Sequence, residues 1–337
     1  PPPPPRRPAT APPPPAPTPA PRAAPVRARK GVAGYHLIRD ARNDDTVMQL
    51  RKTTPRPDKP LAVLFPMKAD DALGIVRQYL LPDDVESDLL LSNTRPIVLI
   101  RKKPGNHLAA GISPGLNEVG AMLPYSPLHH LLLADFGGPV VATSANISGE
   151  PVLTGNDQVE QRLSHVANAF LHHDRPIVRP ADDAVIRVIE KQAALIRQGR
   201  GMAPVEIRLP FEVERPVLAV GAHMKNTVAL AWADRVVVSP HIGEMDNPRS
   251  LQTFEQCISD LQELYQLRIE QIVCDSHPGF TTSRWAHRQS QPVLEVFHHH
   301  AHASAAFTDA LNNDQTLDTL LVFTWDGVGI GPDGSLW

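Results

Sequence analysis

The chain has 337 residues, 20% charged and 42% hydrophobic, with 33 basic and 36 acidic side chains and two cysteines. It holds no run of about eighteen apolar residues, which points away from a membrane-spanning helix, and two cysteines are too few for a disulfide framework or a zinc finger. Residues 1–30 carry six basic side chains and no acids, leaving 27 basic against 36 acidic elsewhere, a net −9 that argues against a general nucleic-acid surface.

Those first thirty residues also hold fourteen of the 36 prolines. Proline fixes φ and removes a backbone donor, so a disordered or polyproline linker is expected there. There is no secretory leader pattern in it, so a cytoplasmic chain is expected. A linker opening on Pro1 reads as the start of a piece of a longer protein.

Residues 31–203 read as a mixed α/β domain. The apolar runs Pro60–Phe65, Ile97–Ile100, Pro139–Ala142 and Ala184–Val188 predict strands, and Asp70–Leu81 and Asp157–Ala169 have helical spacing. Pro204, Pro210 and Pro216 punctuate a charged stretch and predict a linker over 204–216. A second domain is expected over 217–337. It opens with strands Val217–Val220 and Val228–Trp232, a turn at Ala233–Arg235 and strand Val236–Ser239. Leu251, Phe254, Ile258, Leu261 and Leu264 then mark an amphipathic helix. Strand Gln271–Cys274 precedes Asp275-Ser276-His277-Pro278-Gly279, and strand Leu320–Trp325 runs into Asp326-Gly327-Val328-Gly329.

Five constellations could bear chemistry. His298 and His302 lie four apart in His-His-His-Ala-His, so on a helix both imidazoles face one ion; the alternative is a polar helix start with solvated rings. Asp326, Gly327 and Gly329 offer a carboxylate and bare amides to metal-bound nucleotide, or else form a tight hairpin. Gly221, Lys225, Asn226 and Thr227 place an ammonium, an amide and a hydroxyl at a strand end, where anionic oxygens or plain solvent would meet them. Thr143, Ser144, Asn146 and Ser148 follow an apolar strand, at the kind of edge where open α/β sheets place ligands, with a simple Asx or Ser/Thr turn as the other reading. Arg51, Lys52, Arg56 and Lys59 concentrate positive charge upstream, either for phosphate or as a solvated face. Cys257 and Cys274 read as small buried hydrophobes.

Several of these stretches resemble the HypF carbamoyltransferase family, which serves nickel–iron hydrogenase maturation. Gly34-Tyr35-His36-Leu37, Arg56-Pro57-Asp58-Lys59-Pro60-Leu61, Leu123-Pro124-Tyr125-Ser126-Pro127-Leu128-His129 and Thr143-Ser144-Ala145-Asn146-Ile147-Ser148-Gly149 resemble its YrdC-like domain. Gly221–Thr227, Asp275–Phe280, His298–His302 and Asp326–Gly329 resemble the start of its TsaD-like domain. The resemblance implies an α/β protein, a YrdC-like twisted mixed sheet followed by a truncated TsaD-like domain of the actin, sugar-kinase and chaperone superfamily.

The same resemblance implies an enzyme of acid–thiol ligase type that forms carbamoyl-adenylate from ATP and carbamate derived from carbamoyl phosphate. The carbamoyl group then passes to the C-terminal cysteine of the partner HypE. It assigns ATP and carbamate to Arg56, Lys59, Thr143, Ser144, Asn146, Ser148 and Arg197. It assigns a divalent metal (magnesium, iron or zinc) to His298, His302 and Asp326, with nucleotide on Gly221, Lys225, Asn226, Thr227, Asp326, Gly327 and Gly329. Neither a membrane nor nucleic acid is expected as a partner.

Thr53-Thr54 stand where the family carries a basic doublet, and Ala184 where it carries serine. The family's acylphosphatase domain, zinc modules and most of its second lobe are not expected in this chain. Two other readings use the same folds: tRNA threonylcarbamoyladenosine synthesis or O-carbamoylation, and a non-catalytic nucleotide-binding module.

Overall fold

A computed structural model describes residues 26–54, 59–146, 149–312, 319, 321–325 and 330–335. Arg56, Ser148, Asp326, Gly327 and Gly329 lie outside these described residues.

The first domain runs β1 (Arg27–Lys30), β2 (Tyr35–Asp40), α1 (Asp44–Thr53), β3 (Val63–Leu64), α2 (Val76–Tyr79), α3 (Asp84–Leu91), β4 (Ile97–Arg101), β5 (Glu118–Met122), α4 (Pro127–Phe136), β6 (Val140–Ser144), α5 (Asn156–Leu163), β7 (Ala169–Leu171), β8 (Val185–Ile189) and β9 (Gln192–Arg197). Its nine strands form one mixed sheet in the order β7-β1-β2-β6-β3-β5-β4-β8-β9. Tyr35, Leu37 and Val141 point to one face, where they join Val47 and Leu50 of α1 and Leu163 of α5 in the main core. The opposite face carries a smaller cluster of Leu64, Met122, Val140 and Ala142 with Leu133 of α4, and leaves part of the sheet open. That alternation is the period-2 geometry of a strand.

The first domain begins earlier than the composition suggests. Residues 27–30, expected in the linker, pair antiparallel with β2 and parallel with β7. Val26 and Ala28 are buried, while the charges beside them found partners: Arg29 donates to Ser126 Oγ at 3.1 Å and Lys30 to the His173 carbonyl at 3.0 Å.

The second domain runs β10 (Val205–Ala219), β11 (Ala229–Val238), α6 (Pro248–Tyr265), β12 (Gln271–Asp275), α7 (Thr281–Ala286), β13 (Val293–Val296) and α8 (His298–Asn312). Its sheet has the order β11-β10-β12-β13, antiparallel in the first pair and parallel in the other two. The expected linker 204–216 is strand: β10 is one element of 15 residues, so the second domain starts near Val205. Its prolines are tolerated because β12 pairs only with Val217–Ala219, and Pro210 and Pro216 fall in the two register shifts against β11. The turn expected at Ala233–Arg235 is part of strand β11, with Ala233 at φ +46 opposite Val213 between the two register shifts.

Phe254, Ile258 and Leu261 of α6 pack on this sheet as their spacing predicts, with Leu218, Leu230 and Ile272. Asn247 caps α6 through its side chain, which accepts from the Ser250 amide. Elsewhere regular structure is shorter than periodicity suggests. Only Val76–Tyr79 of the expected 70–81 helix is helical, because 71–74 form a turn closed by Asp71. The helix expected over 157–169 stops at Leu163, and Ala169 enters β7. Residues 321–325 form no strand, since none among the described residues lies alongside to take their backbone bonds; Phe323 and Trp325 are exposed. No helix among the described residues is long and apolar enough to cross a membrane.

Candidate active site

The open face of the first sheet bears a cavity of about 320 Å³. Its floor is apolar, built from Ala62 just before β3, Leu99 of β4, Ala142 of β6 and Val185 of β8. Lys59, Thr143, Ser144 and Arg197 all line it, together with His36, Tyr125, Asp182 and Asp183. Two cations and two hydroxyls around an apolar floor suit an anionic ligand with a flat apolar part. Asn146 stands just behind, accepting from Ser144 Oγ at 2.8 Å and donating to the Glu150 carbonyl at 2.6 Å.

Each side chain is held by identifiable backbone. Register in the sheet puts His36 opposite Ser144 and Val185 opposite Arg197. Arg197 Nε donates to the Asp183 carbonyl at 3.0 Å. Lys59 is fixed through its main chain, because the buried Arg51 guanidinium reaches its carbonyl at 3.1 Å and those of Gly111 and Ile112 as well. Arg51 is therefore a brace under Lys59. The threonines in place of the basic doublet close α1: Thr53 Oγ1 and Thr54 Oγ1 both donate to the Leu50 carbonyl. Ala184 is fully buried beside the cavity, its carbonyl accepting from Ile97.

Sequence reading missed the polar cluster at one end of this cavity. His36 Nε2 meets Asp183 Oδ2 at 3.0 Å, Arg200 Nε meets Asp183 Oδ1 at 2.8 Å, and the Arg200 guanidinium lies 3.5 Å from the Tyr125 ring centroid. Burial works against ionisation of Asp183, yet the His36 hydrogen bond and the Arg200 charge outweigh it and hold its carboxyl well below the usual range. Burial pushes the Tyr125 hydroxyl well above its ordinary value, so it stays a neutral donor. Arg29 is lowered to about 10, again by burial. His36 and Asp183 alone are 147 positions apart, and no local pattern joins the cluster.

In the second domain the helical spacing holds: the His298 and His302 rings share one face of α8, with centroids 4.9 Å apart. His298 Nδ1 pairs with Asp275 Oδ2 at 2.8 Å, a carboxylate–imidazole contact that orients the ring. Two imidazoles with a carboxylate behind one of them fit a divalent metal of the zinc or iron type. The third expected ligand, Asp326, is outside the described residues, and no group of three His, Cys, Asp or Glu gathers among the described ones.

The turn at Gly221 stands close by, since Thr282 Oγ1 donates to the Gly221 carbonyl and His223 stacks on Phe280, which stacks on His277. Gly221 has φ +65, and a Cβ there would meet the Thr227 carbonyl oxygen at 2.4 Å, so only glycine fits. Asn226 departs from its expected role. It is buried, and its amide donates to the Val220 and Ala222 carbonyls, so both donors are used in shaping the turn. Lys225 stays exposed and Thr227 half-buried. Beyond Asp275, a second cavity of about 330 Å³ is lined by Ser276, Ser283, Arg284, His287, Arg288 and Glu295.

Comparison with known proteins agrees with this division. The family profile for Sua5, YciO and YrdC proteins, described as telomere recombination, matches residues 22–199, and that of the HypF Kae1-like domain matches 212–309. The chain thus belongs to the Sua5–YciO–YrdC family, in the HypF arrangement where a Kae1-like domain follows. The carbamoyltransferase HypF of Synechocystis is 40% identical over 310 residues, covering 92% of this chain and 39% of the relative. A crystal structure of full-length HypF in a phosphate- and nucleotide-bound form superposes with a TM-score of 0.85 at 36% identity, covering 93% of this chain and 48% of that one. The crystal structure of T. kodakarensis HypF gives 0.84 at 34%, covering 93% and 41%. The chain spans about two fifths of the length of the curated relatives it matches.

Proposed function

We propose that the chain supplies the two reaction centres of an ATP-dependent carbamoyl transfer that serves nickel–iron hydrogenase maturation. The observation that carries this reading is the convergence of Lys59, Thr143, Ser144 and Arg197 on one cavity with an apolar floor. The naming of its relatives as carbamoyltransferases and the nucleotide-bound state of one of them support it.

The substrates are ATP and carbamate, the latter derived from carbamoyl phosphate. A carbamate oxygen attacks the α-phosphorus, the bond from that phosphorus to the α,β-bridging oxygen breaks, and pyrophosphate leaves, giving carbamoyl-adenylate. Two anions must approach for this, so cations at Lys59 and Arg197, and Arg56 if it joins them, lower the barrier by offsetting the charge that gathers there. Thr143, Ser144, Asn146 and Ser148 orient phosphate and carbamate by hydrogen bonds.

In the second step a thiolate, that of the HypE C-terminal cysteine, attacks the carbamoyl carbon. The C–O bond to AMP breaks and a thiocarbamate forms. Gly221, Lys225, Thr227 and the Asp326–Gly329 segment would hold the nucleotide there, with Asn226 shaping the turn. A divalent metal would be held by His298, His302 and Asp326, supplying charge neutralisation at phosphate oxygens. Asp275 fixes the His298 ring for that task.

The test is ATP–pyrophosphate exchange. Exchange that depends on carbamate or carbamoyl phosphate, and needs no threonine, is the expected result. Exchange that requires threonine and bicarbonate would transfer the chain to tRNA threonylcarbamoyladenosine chemistry, and ATP binding with no exchange under any condition would leave a binding module.

A further inference from the structure

The first-domain cavity is tied to the second domain both at Asp182 of its lining, which meets His241 Nδ1 at 3.1 Å, and behind Ser144 and Asn146. Arg249, in the first turn of α6, meets Glu150 Oε2 at 3.0 Å, and Asn247 Nδ2 donates to the Gly149 carbonyl at 2.7 Å. Glu150 also takes a two-pronged bond from Arg162 of its own domain, at 2.7 and 2.9 Å. Burial raises the Glu150 carboxyl, but the two arginines outweigh it and hold the group below its usual range. From Glu150 the contacts run inward: its carbonyl accepts from Asn146, and Asn146 accepts from Ser144, which lines the cavity.

We propose that Asn247 and Arg249 are positioning residues for the first-domain site, so that the second domain sets the placement of Gly149 and Glu150 and, through them, of Asn146 and Ser144. The proposal rests on reading the cavity as the nucleotide site. Gly149 has φ +80, a left-handed turn that swings the chain back over Asn146. A turn of that kind needs an anchor on its far side to hold one conformation. Arg162 anchors it from within the domain, and the start of α6 clamps the same carboxylate and the neighbouring carbonyl from without. When the two domains shift apart, Glu150 keeps one arginine, Gly149 loses its donor, and Asn146 no longer has a fixed carbonyl to hold it against Ser144. Seating of nucleotide in one domain is thereby linked to domain contact.

The experiment uses the 337-residue chain and three measurements: hydrogen exchange of the peptide over 143–153, magnesium-ATP affinity, and melting temperature. The double variant Asn247→Ser/Arg249→Gln keeps a good helix cap, since serine caps as well as asparagine, but removes both links. Arg179→Gln is the control, because it removes a different interdomain pair, with Asp260, away from this segment.

The expected result is exchange over 143–153 faster by about tenfold and ATP affinity weaker by about tenfold in the double variant. Neither should change in the control, and Asn247→Ser alone with Arg249→Lys should recover most of the affinity. Unchanged exchange in the double variant, or equal loosening in the control, overturns the proposal. Faster exchange together with ATP affinity that is insensitive to Lys59→Ala leaves the linkage standing and removes the nucleotide reading of the cavity instead.

Discussion

Two histidine–aspartate pairs, one in each domain, look alike on paper and differ in what they leave over. His36 pairs with Asp183 through Nε2 and His298 with Asp275 through Nδ1, at 3.0 and 2.8 Å. The first pair is sealed: both side chains are about one-tenth exposed, and Arg200 takes the other carboxylate oxygen while covering the Tyr125 ring. The second is less buried on the histidine side, where His298 is 36% exposed and its ring centroid lies 4.9 Å from that of His302. A carboxylate closed by a third charge is part of the frame. One that orients a partly exposed imidazole leaves the fold less dependent on it.

The sealed pair should cost most to break. Asp183→Asn leaves Arg200 buried without its counter-charge, and removing one partner of such a pair costs about 3–5 kcal/mol, so urea unfolding of the first domain should move by that amount. The folded-state value of Asp183 lies below its unfolded one, so the stabilisation is complete above about pH 4, the unfolded carboxylate value, and is lost as pH falls through the folded value. The variant should show a flatter loss of stability below pH 4 than the parent chain.

For the open pair the effect should fall on metal and spare the fold. Asp275→Asn should weaken zinc or iron(II) binding by about 10- to 100-fold, the usual penalty for a lost outer-sphere partner, with little change in melting. His298→Ala should abolish that binding. An Asp275→Asn variant that melts early but binds metal as before would make the second pair a frame like the first.

A third pair gives the lower bound. His287 and Glu295 lie 2.9 Å apart with both side chains about half exposed. Salt and water screen such a contact, so His287→Ala should change stability by about 0.5 kcal/mol or less.

How far these arrangements were legible depended on whether they are local. The face of α6 and the His298–His302 pair follow from three- and four-residue spacing, and both stand as expected. Lys59, Thr143, Ser144 and Arg197 were singled out by motif resemblance, and the sheet then brings them together across the chain. His36, Asp183 and Arg200 could not be joined in advance, because their meeting depends on strand order and register. Arg51 and Asn226 show what spacing does not reveal: a cation and an amide beside a phosphate-like motif are here both bonded to main-chain carbonyls. The prolines of β10 misled because a strand paired along one side accepts them at bulges.

The most direct test of the account is a titration of magnesium-ATP onto the chain and its Lys59→Ala variant. Lys59 is exposed and lines the cavity. The account predicts unchanged melting with ATP affinity weaker by about tenfold or more, the scale of one charge-assisted phosphate contact in a desolvated site. Equal affinity in the two proteins would contradict it, because the nucleotide would then be bound elsewhere.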